Sequence, residues 1–203
     1  MFSSLKKLWH WFWSPTARLS MGSLLIIGMV GGLVLWGGFN WSMELSSTEQ
    51  FCISCHEIRD NAFEESKSKV HYSNRSGVNA DCADCHIPKA WVPKLARKIE
   101  AAREVYHHVL GTIDTPEKYN AHRPVMQERV WARMRANDSL ACRNCHNPDR
   151  MSEEKQKRRA WMAHQDARST GETCIDCHKG IAHELMQADA EPPAEEEELD
   201  FTI

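Results

Sequence analysis

The sequence predicts a mainly α-helical protein with a single N-terminal transmembrane helix and a compact downstream domain of short helices and loops. No charged residue occurs between Leu19 and Met43. Beyond that stretch, apolar residues recur at helical spacing, and no segment alternates convincingly as a strand would. The chain holds 8 cysteines and 11 histidines, while long aliphatic runs occur only near its N-terminus. Something other than aliphatic packing must therefore fill the downstream domain.

The N-terminal region has the charge pattern of an uncleaved membrane anchor. Residues 1–18 form an arm with three basic residues and no acidic one. Residues 19–43 can cross a bilayer, since about 20 apolar residues suffice. A cleaved signal peptide and a buried core helix are the alternatives, but the residues after the apolar run make a poor cleavage site. The positive-inside rule keeps the arm in the cytoplasm and exports the rest of the chain.

The exported residues 44–186 are expected to form helices joined by loops. Helical spacing predicts three longer helices, at Lys94–Leu110, Glu117–Met134 and Glu153–Arg168. Gly111 is expected to end the first of these helices, and Pro116 is well placed to begin the second. This part of the chain is thus predicted to be helical, without a sheet.

The C-terminal residues 187–203 differ in composition from the domain that precedes them. After Lys179 the chain has eight acidic residues and no basic one. Such a segment cannot bury enough apolar surface to fold, so we expect a disordered acidic tail. Without these eight acids the chain has 20 acidic and 25 basic residues, a mild basic excess. We expect no nucleic-acid partner.

The cysteines carry the chemistry of this sequence, because all of them fall into four copies of one pattern. The four Cys-x-x-Cys-His motifs are Cys52, Cys55 and His56; Cys82, Cys85 and His86; Cys142, Cys145 and His146; and Cys174, Cys177 and His178. This spacing is that of a c-type haem attachment site. Two thiols one helical turn apart can reach both vinyl groups of one haem, and the adjoining imidazole is directed at the iron.

Other uses of paired cysteines explain the pattern less well. A zinc ribbon needs Cys-x-x-Cys pairs but no histidine at the next position. Disulfides would explain an even number of cysteines in an exported chain, but again not the histidines. We therefore expect four covalently bound haems c in a compact multihaem domain, with the motif histidines as proximal ligands. Haem propionates would then pair with the basic excess, although an ordinary solvated surface explains any single basic residue equally well.

The motif spacing indicates an internal duplication. Motifs one and two start 30 residues apart, and motifs three and four start 32 residues apart. This suggests two di-haem units, at about residues 44–110 and 111–186. His71 and His164 occupy matching places after the first motif of each unit. In a pseudo-symmetric pair of units, a histidine between two motifs can reach across to the other unit.

This symmetry predicts particular distal ligands. We expect His71 to bind the iron of haem four, His164 that of haem two and His183 that of haem three. A lone histidine is more often a surface or hydrogen-bonded residue. We assign that structural role to the three that remain in the domain, His107, His108 and His122. Bis-histidine ligation lacks the methionine that raises cytochrome c potentials, so these haems should be comparatively reducing.

Four longer stretches resemble a known family of cytochromes. They are Glu49–His56, His71–Gly77, Gly111–Glu117 and Thr173–His183. Together with the basic arm and the anchor, they resemble the NapC/NirT/NrfH family of membrane-anchored tetrahaem c-type cytochromes, and NapC/NirT most closely. The resemblance covers nearly the whole chain through the fourth motif and is more specific than the haem motifs alone.

The resemblance implies a quinol dehydrogenase of the bacterial inner (cytoplasmic) membrane, with its haem domain in the periplasm. Such a protein oxidises membrane quinol and passes the electrons to a periplasmic terminal reductase in anaerobic respiration. Nitrate reductase is the favoured partner. Two alternatives stay open: a tethered electron relay without its own quinol site, and a donor to a nitrite reductase or an N- or S-oxide reductase.

Two positions depart from the family pattern near haem one. Ile58 stands where the NrfH branch has a methionine that ligates iron, so His56 is the expected proximal ligand. Lys89 stands where relatives nearer NapC often carry histidine, and lysine binds iron only as the neutral amine. The sixth ligand of haem one is therefore Lys89, a carboxylate or none. For haem two, Lys98 is an alternative to His164.

By the same resemblance, the helix after motif two supplies the quinol site. The matching residues are Lys98, close to haem two, and Glu104, near haem one and the quinol. Quinol oxidation releases two electrons and two protons, so a carboxylate at this place would be a suitable proton acceptor. The alternative is an exposed helix face with ordinary surface charges.

Overall fold

The computed structural model describes residues 2–13 and 20–185. The chain divides into two units, and the boundary along the chain lies between Ser46 and Ser47. Helices and loops make up both units, and no strand occurs in the described ranges. The mainly α-helical prediction is confirmed. The predicted acidic tail, residues 187–203, lies outside the described residues.

The first unit contains two helices, α1 (Phe2–Trp13) and α2 (Met21–Leu45). The hydroxyl of Ser20 begins α2 by accepting a hydrogen bond from the amide of Ser23 at 3.2 Å. Residues Gly22–Leu45 have a mean hydropathy of 1.8 and no buried side chains in their most apolar window. A helix of this length, with apolar side chains that do not pack within the protein, is suited to lipid.

In the second unit the first cysteine of each haem motif lies on a short helix. These helices are α3 (Glu49–Cys52), α5 (Cys82–His86), α9 (Leu140–Arg143) and α11 (Cys174–Cys177). Polar side chains fix where three of them begin: Thr48 caps α3, and Asp81 and Thr173 form capping boxes at α5 and α11. A π-helix at Ile58–Phe63 and the short α4 (Glu64–Ser66) follow the first motif.

The predicted helix Lys94–Leu110 is divided in the structure. It consists of α6 (Trp91–Glu100) and α7 (Ala102–Leu110). Between them Ala101 has a ψ of −14°, well away from the usual helical value near −42°, so the chain bends there. Gly111, at a φ of 65°, ends α7 in the left-handed conformation as expected.

The other two predicted helices are shifted or shortened. The helix α8 (Pro116–Ala136) begins at Pro116 and is capped by Thr115, close to the predicted bounds. The region predicted as Glu153–Arg168 is a short 3₁₀ turn, Glu153–Lys155, followed by α10 (Arg158–Thr170). Gln156 has an extended backbone between them, which interrupts the helix and frees its side chain for another contact.

Few apolar side chains are buried in the second unit. Among its described residues, Ile175 is the only buried hydrophobic one. Its amide donates to the hydroxyl of the fully buried Ser139, which joins α11 to the turn before α9. Aliphatic packing therefore contributes little to the described part of this unit.

Candidate haem sites

Four pairs of histidine rings form in the second unit, and each pair contains one motif histidine. The ring centroids are 6.1 Å apart for His56 and His108, 6.2 Å for His86 and His183, 6.2 Å for His146 and His71, and 5.9 Å for His178 and His164. Two bonds of about 2 Å from imidazole nitrogens to a metal, together with the ring radii, account for such a separation. The geometry fits one iron between each pair.

The second ring nitrogen supports the same interpretation. In each histidine that is not part of a motif, Nδ1 lies within hydrogen-bond distance of an oxygen. The partners are the Ile181 carbonyl for His71 at 3.4 Å, the Ala62 carbonyl for His183 at 3.1 Å, Gln156 Oε1 for His164 at 2.6 Å, and Glu57 Oε1 for His108 at 2.6 Å. Metal-binding histidines usually donate their other N–H in this way, which fixes the tautomer and leaves Nε2 for the metal.

Burial favours the neutral form of at least two of these rings. It lowers the pKa of His86 to about 4 and also lowers the pKa of His183. Only a neutral imidazole can bind a metal ion, because protonation occupies the lone pair that the metal needs. The pair at motif two is therefore in the ligating form at pH 7.

The ring pairs differ from the distal ligands that the internal duplication predicts. His71 lies beside His146 of motif three and not beside His178. His164 lies beside His178 of motif four. His183 lies beside His86 of motif two and not His146. The expected pairings were wrong because the C-terminal segment, residues 181–184, lies against residues 62–71 of the same unit and is hydrogen-bonded there.

An ion-pair cluster explains why the C-terminal segment lies in this place. The guanidinium of Arg123 forms two hydrogen bonds to the carboxylate of Glu65 and donates to the carbonyl of Glu184 at 2.8 Å. The amide of Glu184 donates to Glu65 at 3.0 Å. Glu184 is thus held against residues 62–65, and its neighbour His183 is placed opposite His86.

His108 is the ligand candidate that sequence reasoning missed. The sequence assigned it a structural role, yet it faces His56 across the first motif. Lys89, a candidate for that position, is mostly exposed and lies 3.9 Å from Asp84. The available signal was that only three distal histidines, His71, His164 and His183, had been assigned to four irons. His107 and His122 bond to Thr112 and to the Lys118 carbonyl, as structural histidines do.

The eight cysteines are free thiols, and contacts between them connect the four motifs. Cys52 of motif one is hydrogen-bonded to Cys82 of motif two, and this bond lowers the pKa of Cys52 to about 7. Burial, followed by the nearby Cys142 of motif three, raises the pKa of Cys85 to about 11. Cys142 in turn is hydrogen-bonded to Cys174 of motif four. The motifs therefore lie in space in the order one, two, three, four.

Arg97 supplies a second test of whether a haem fits. The residue is only 8% exposed, and its Nε has no hydrogen-bond partner among the described atoms. Arg133 lies nearby, and burial together with the charge of Arg97 lowers the pKa of Arg133. Two adjacent cations and an unpaired buried N–H match the needs of a carboxylate such as a haem propionate.

The two residues predicted for the quinol site lie on consecutive helices, Lys98 on α6 and Glu104 on α7. Lys98 and Glu104 each act electrostatically on the thiol of Cys52. The carboxylate of Glu104 is largely exposed and accepts a hydrogen bond from Arg97 at 2.5 Å, across the bend between α6 and α7. Sequence reasoning did not identify Arg97 as this partner.

Comparison with known proteins agrees with the geometry. Residues 14–188 match the NapC/NirT cytochrome c family, N-terminal region. The chain is 53% identical over 181 residues to the cytochrome c-type protein NapC of Escherichia coli, covering 89% of this chain and 90% of the relative. It is 53% identical over 173 residues to the denitrification system component NirT of Stutzerimonas stutzeri, covering 85% and 86%.

A third relative, the cytochrome c-type protein NapC of Paracoccus pantotrophus, is 49% identical over 191 residues, which cover 90% of this chain and 81% of the relative. No solved structure matches the chain. The match to the family extends from the start of the anchor region past the fourth motif. The chain belongs to the NapC/NirT cytochrome c family.

Proposed function

We propose that this protein oxidises quinol in the bacterial cytoplasmic membrane and passes the electrons to a periplasmic terminal reductase. The observation that carries the proposal is the set of four histidine pairs, each beside its own cysteine pair, in a unit that begins directly after an apolar helix. In this proposal α2 spans the membrane, the basic arm lies in the cytoplasm and the second unit faces the periplasm.

Each haem would be held by the two cysteines of its motif and by one pair of imidazoles. The pairs that would hold the irons are His56 with His108, His86 with His183, His146 with His71, and His178 with His164. Bound haem supplies an iron that alternates between ferric and ferrous states, the one-electron chemistry that this function requires. The hydrogen bonds at Nδ1 orient the distal rings, and Arg97 with Arg133 would hold a propionate.

The cysteine contacts support a linear order of the four sites. Motif one begins at Cys52, seven residues after α2 ends at Leu45, so the first site is tethered close to the bilayer. Cys82 then contacts Cys52, and the remaining motifs follow in chain order. The first site is the natural entry point for electrons from the membrane, and the fourth is the exit toward a soluble partner.

Glu104 is our candidate for the proton acceptor in quinol oxidation. Its charge acts on Cys52 of motif one, and its hydrogen bond from Arg97 orients the carboxylate. Lys98, also near Cys52, would bind or orient the quinol oxygen. Apolar side chains of Ile99 and Val105 are exposed beside these charges and could contact the quinone ring.

The test follows haem absorbance after a quinol analogue is added to the purified, haem-loaded protein. We expect reduction of the haems, and we expect Glu104→Gln to slow it by about 10²-fold, as loss of a general base does. Glu100→Gln is the matched control, because Glu100 lies on the same helix pair, is similarly exposed and also bonds an arginine, Arg133, at 3.1 Å. Equal rates in the two variants would remove Glu104 from the mechanism.

The same experiment separates quinol oxidation from the alternative of a tethered relay. A relay would stay oxidised with the quinol analogue and become reduced only when another membrane complex is added. The acceptor we favour is a periplasmic nitrate reductase, as the family resemblance implies. Reoxidation of the reduced protein by purified nitrate reductase, compared with nitrite, N-oxide and S-oxide reductases, would identify the acceptor.

A further inference from the structure

The four distal histidines differ in the charge of the oxygen that holds Nδ1. His71 and His183 face backbone carbonyls, and His164 faces the amide oxygen of Gln156. His108 alone among the four faces a carboxylate, that of Glu57, at 2.6 Å. The contacts to Gln156 and to Glu57 are both 2.6 Å long, so the difference between these two sites is one of charge rather than of distance.

Glu57 is built into the protein rather than displayed on its surface. Glu57 is only 3% exposed, although it directly follows the motif histidine His56 in the chain. Oε1 accepts from Nδ1 of His108 and lies 3.4 Å from Nε2 of His56. Because Nε2 of His56 would bind the iron of a bound haem, the bond to His108 is the one that can persist. Burying an ionised carboxylate away from solvent costs free energy unless it makes a specific hydrogen bond.

We propose that Glu57 is a positioning residue of the first haem site, which holds His108 through Nδ1–H and lowers the reduction potential of the first haem. The inference rests on the proposed function in taking His56 and His108 as the axial ligands. A carboxylate that accepts the Nδ1 proton draws the imidazole toward imidazolate, and a more electron-rich ligand stabilises ferric over ferrous iron. A neutral oxygen, as at the other three sites, has a weaker effect.

A lowered potential suits a haem at the entry point. Electron transfer from the first haem to the later haems would then be downhill, because the neutral Nδ1 partners at the other three sites leave their potentials higher. The buried Glu57 also lies close to Cys55 and His108, an arrangement of donors that by itself resembles a metal site. Cys55 is committed to a thioether bond in the haem-loaded protein, however, so this cluster belongs to the first haem and not to a further metal ion.

The experiment is a pair of reciprocal isosteric substitutions in the full-length, haem-loaded protein. Glu57→Gln replaces the carboxylate by an amide, and Gln156→Glu places a carboxylate beside His164. Potentiometric titration with haem absorbance resolves the components without any need for quinol. We expect Glu57→Gln to shift one component upward and Gln156→Glu to shift a different component downward, with both shifts in the double variant.

A third variant assigns the component and separates this inference from the function it rests on. His108→Met should raise the same component that Glu57→Gln raises, because a methionine ligand raises haem potentials. If His108→Met changes no haem, the ligand pair in the proposed function is wrong. If His108→Met shifts a component and Glu57→Gln shifts none, the role of Glu57 alone is overturned.

Haem content provides the remaining control. A pyridine haemochrome assay and the protein mass should give four haems per chain in every variant. Should Glu57→Gln not mature, Glu57→Asp keeps the charge but shortens the reach, and an upward shift smaller than that of His108→Met is expected. An unshifted potential in Glu57→Asp, with His108→Met shifted, would overturn the proposal.

Discussion

At the scale of single residues, the ion pair of Glu65 and Arg123 determines where one predicted ligand lies. Both side chains are largely buried, and both also bond the backbone of Glu184. Burial raises the pKa of Glu65. The hydrogen bonds from Arg123 and from the Glu184 amide lower the pKa by more than burial raises it, so it lies below its usual value of 4.5. A carboxyl with a depressed pKa stabilises the folded protein when it is ionised.

This pair leads to a prediction about pH and stability. Glu65→Gln leaves a buried guanidinium without its partner and should lower the free energy of unfolding by about 3 kcal/mol at pH 7. Because the folded pKa of Glu65 is below 4.5, its contribution is complete above about that pH and is lost as the pH falls through the folded value. Denaturant unfolding of the unsubstituted protein and of Glu65→Gln should therefore give free energies of unfolding whose difference becomes smaller under acidic conditions.

The neighbouring residue offers a matched control for this prediction. Glu64 pairs with Lys67 at 2.6 Å, but both side chains are substantially exposed. Exposed pairs contribute roughly 0–1 kcal/mol, so Glu64→Gln should change the stability little at any pH. An equal loss of stability in Glu64→Gln and Glu65→Gln would show that the contacts of Glu65 and Arg123 with Glu184 have no special role.

At the scale of elements, local signals predicted well and long-range pairing did not. Gly111 and Pro116 marked the end of α7 and the start of α8 because a left-handed glycine and an N-terminal proline act within one turn. The bend at Ala101 had no such local signal, since the apolar spacing continues across it. The partner of His183 depends on contacts 121 residues away in the chain, which no local pattern encodes.

The ligand pairs can be tested by comparing double substitutions. Replacing two histidines of one pair should remove one six-coordinate low-spin haem, whereas replacing members of two pairs should remove two. We expect His164→Ala with His178→Ala to remove one such haem and His71→Ala with His178→Ala to remove two, when counted by electron paramagnetic resonance, because alanine has no atom that can bind iron. The pairing that the duplication suggested, His71 with His178, would give the opposite count for the second combination.

At the scale of the whole molecule, the absence of an aliphatic core was predictable while the ligand set was only partly so. Apolar runs are confined to α2, and the described part of the second unit buries one hydrophobic residue, Ile175. The four motifs, together with the lack of other apolar runs, therefore predicted from the sequence that cofactors fill the interior. His108 was overlooked because a histidine in an ordinary helix carries no mark of ligation until the ring opposite it is located.

The full-length chain without attached haem is accordingly expected to lose the second unit's structure while α2 remains helical. The backbone hydrogen bonds of α2 are satisfied within the helix, so in detergent it does not depend on the haem domain. The second unit has no aliphatic core to offset the conformational entropy of ordering its chain, and isolated helices as short as α3 and α11 are unstable in water. Far-ultraviolet circular dichroism of the haem-free chain should show helicity near that of α2 alone, and near-ultraviolet signals from Trp131 and Trp161 should disappear. Native-like helicity with cooperative unfolding in that chain would mean that side-chain packing, rather than the cofactors, builds the domain.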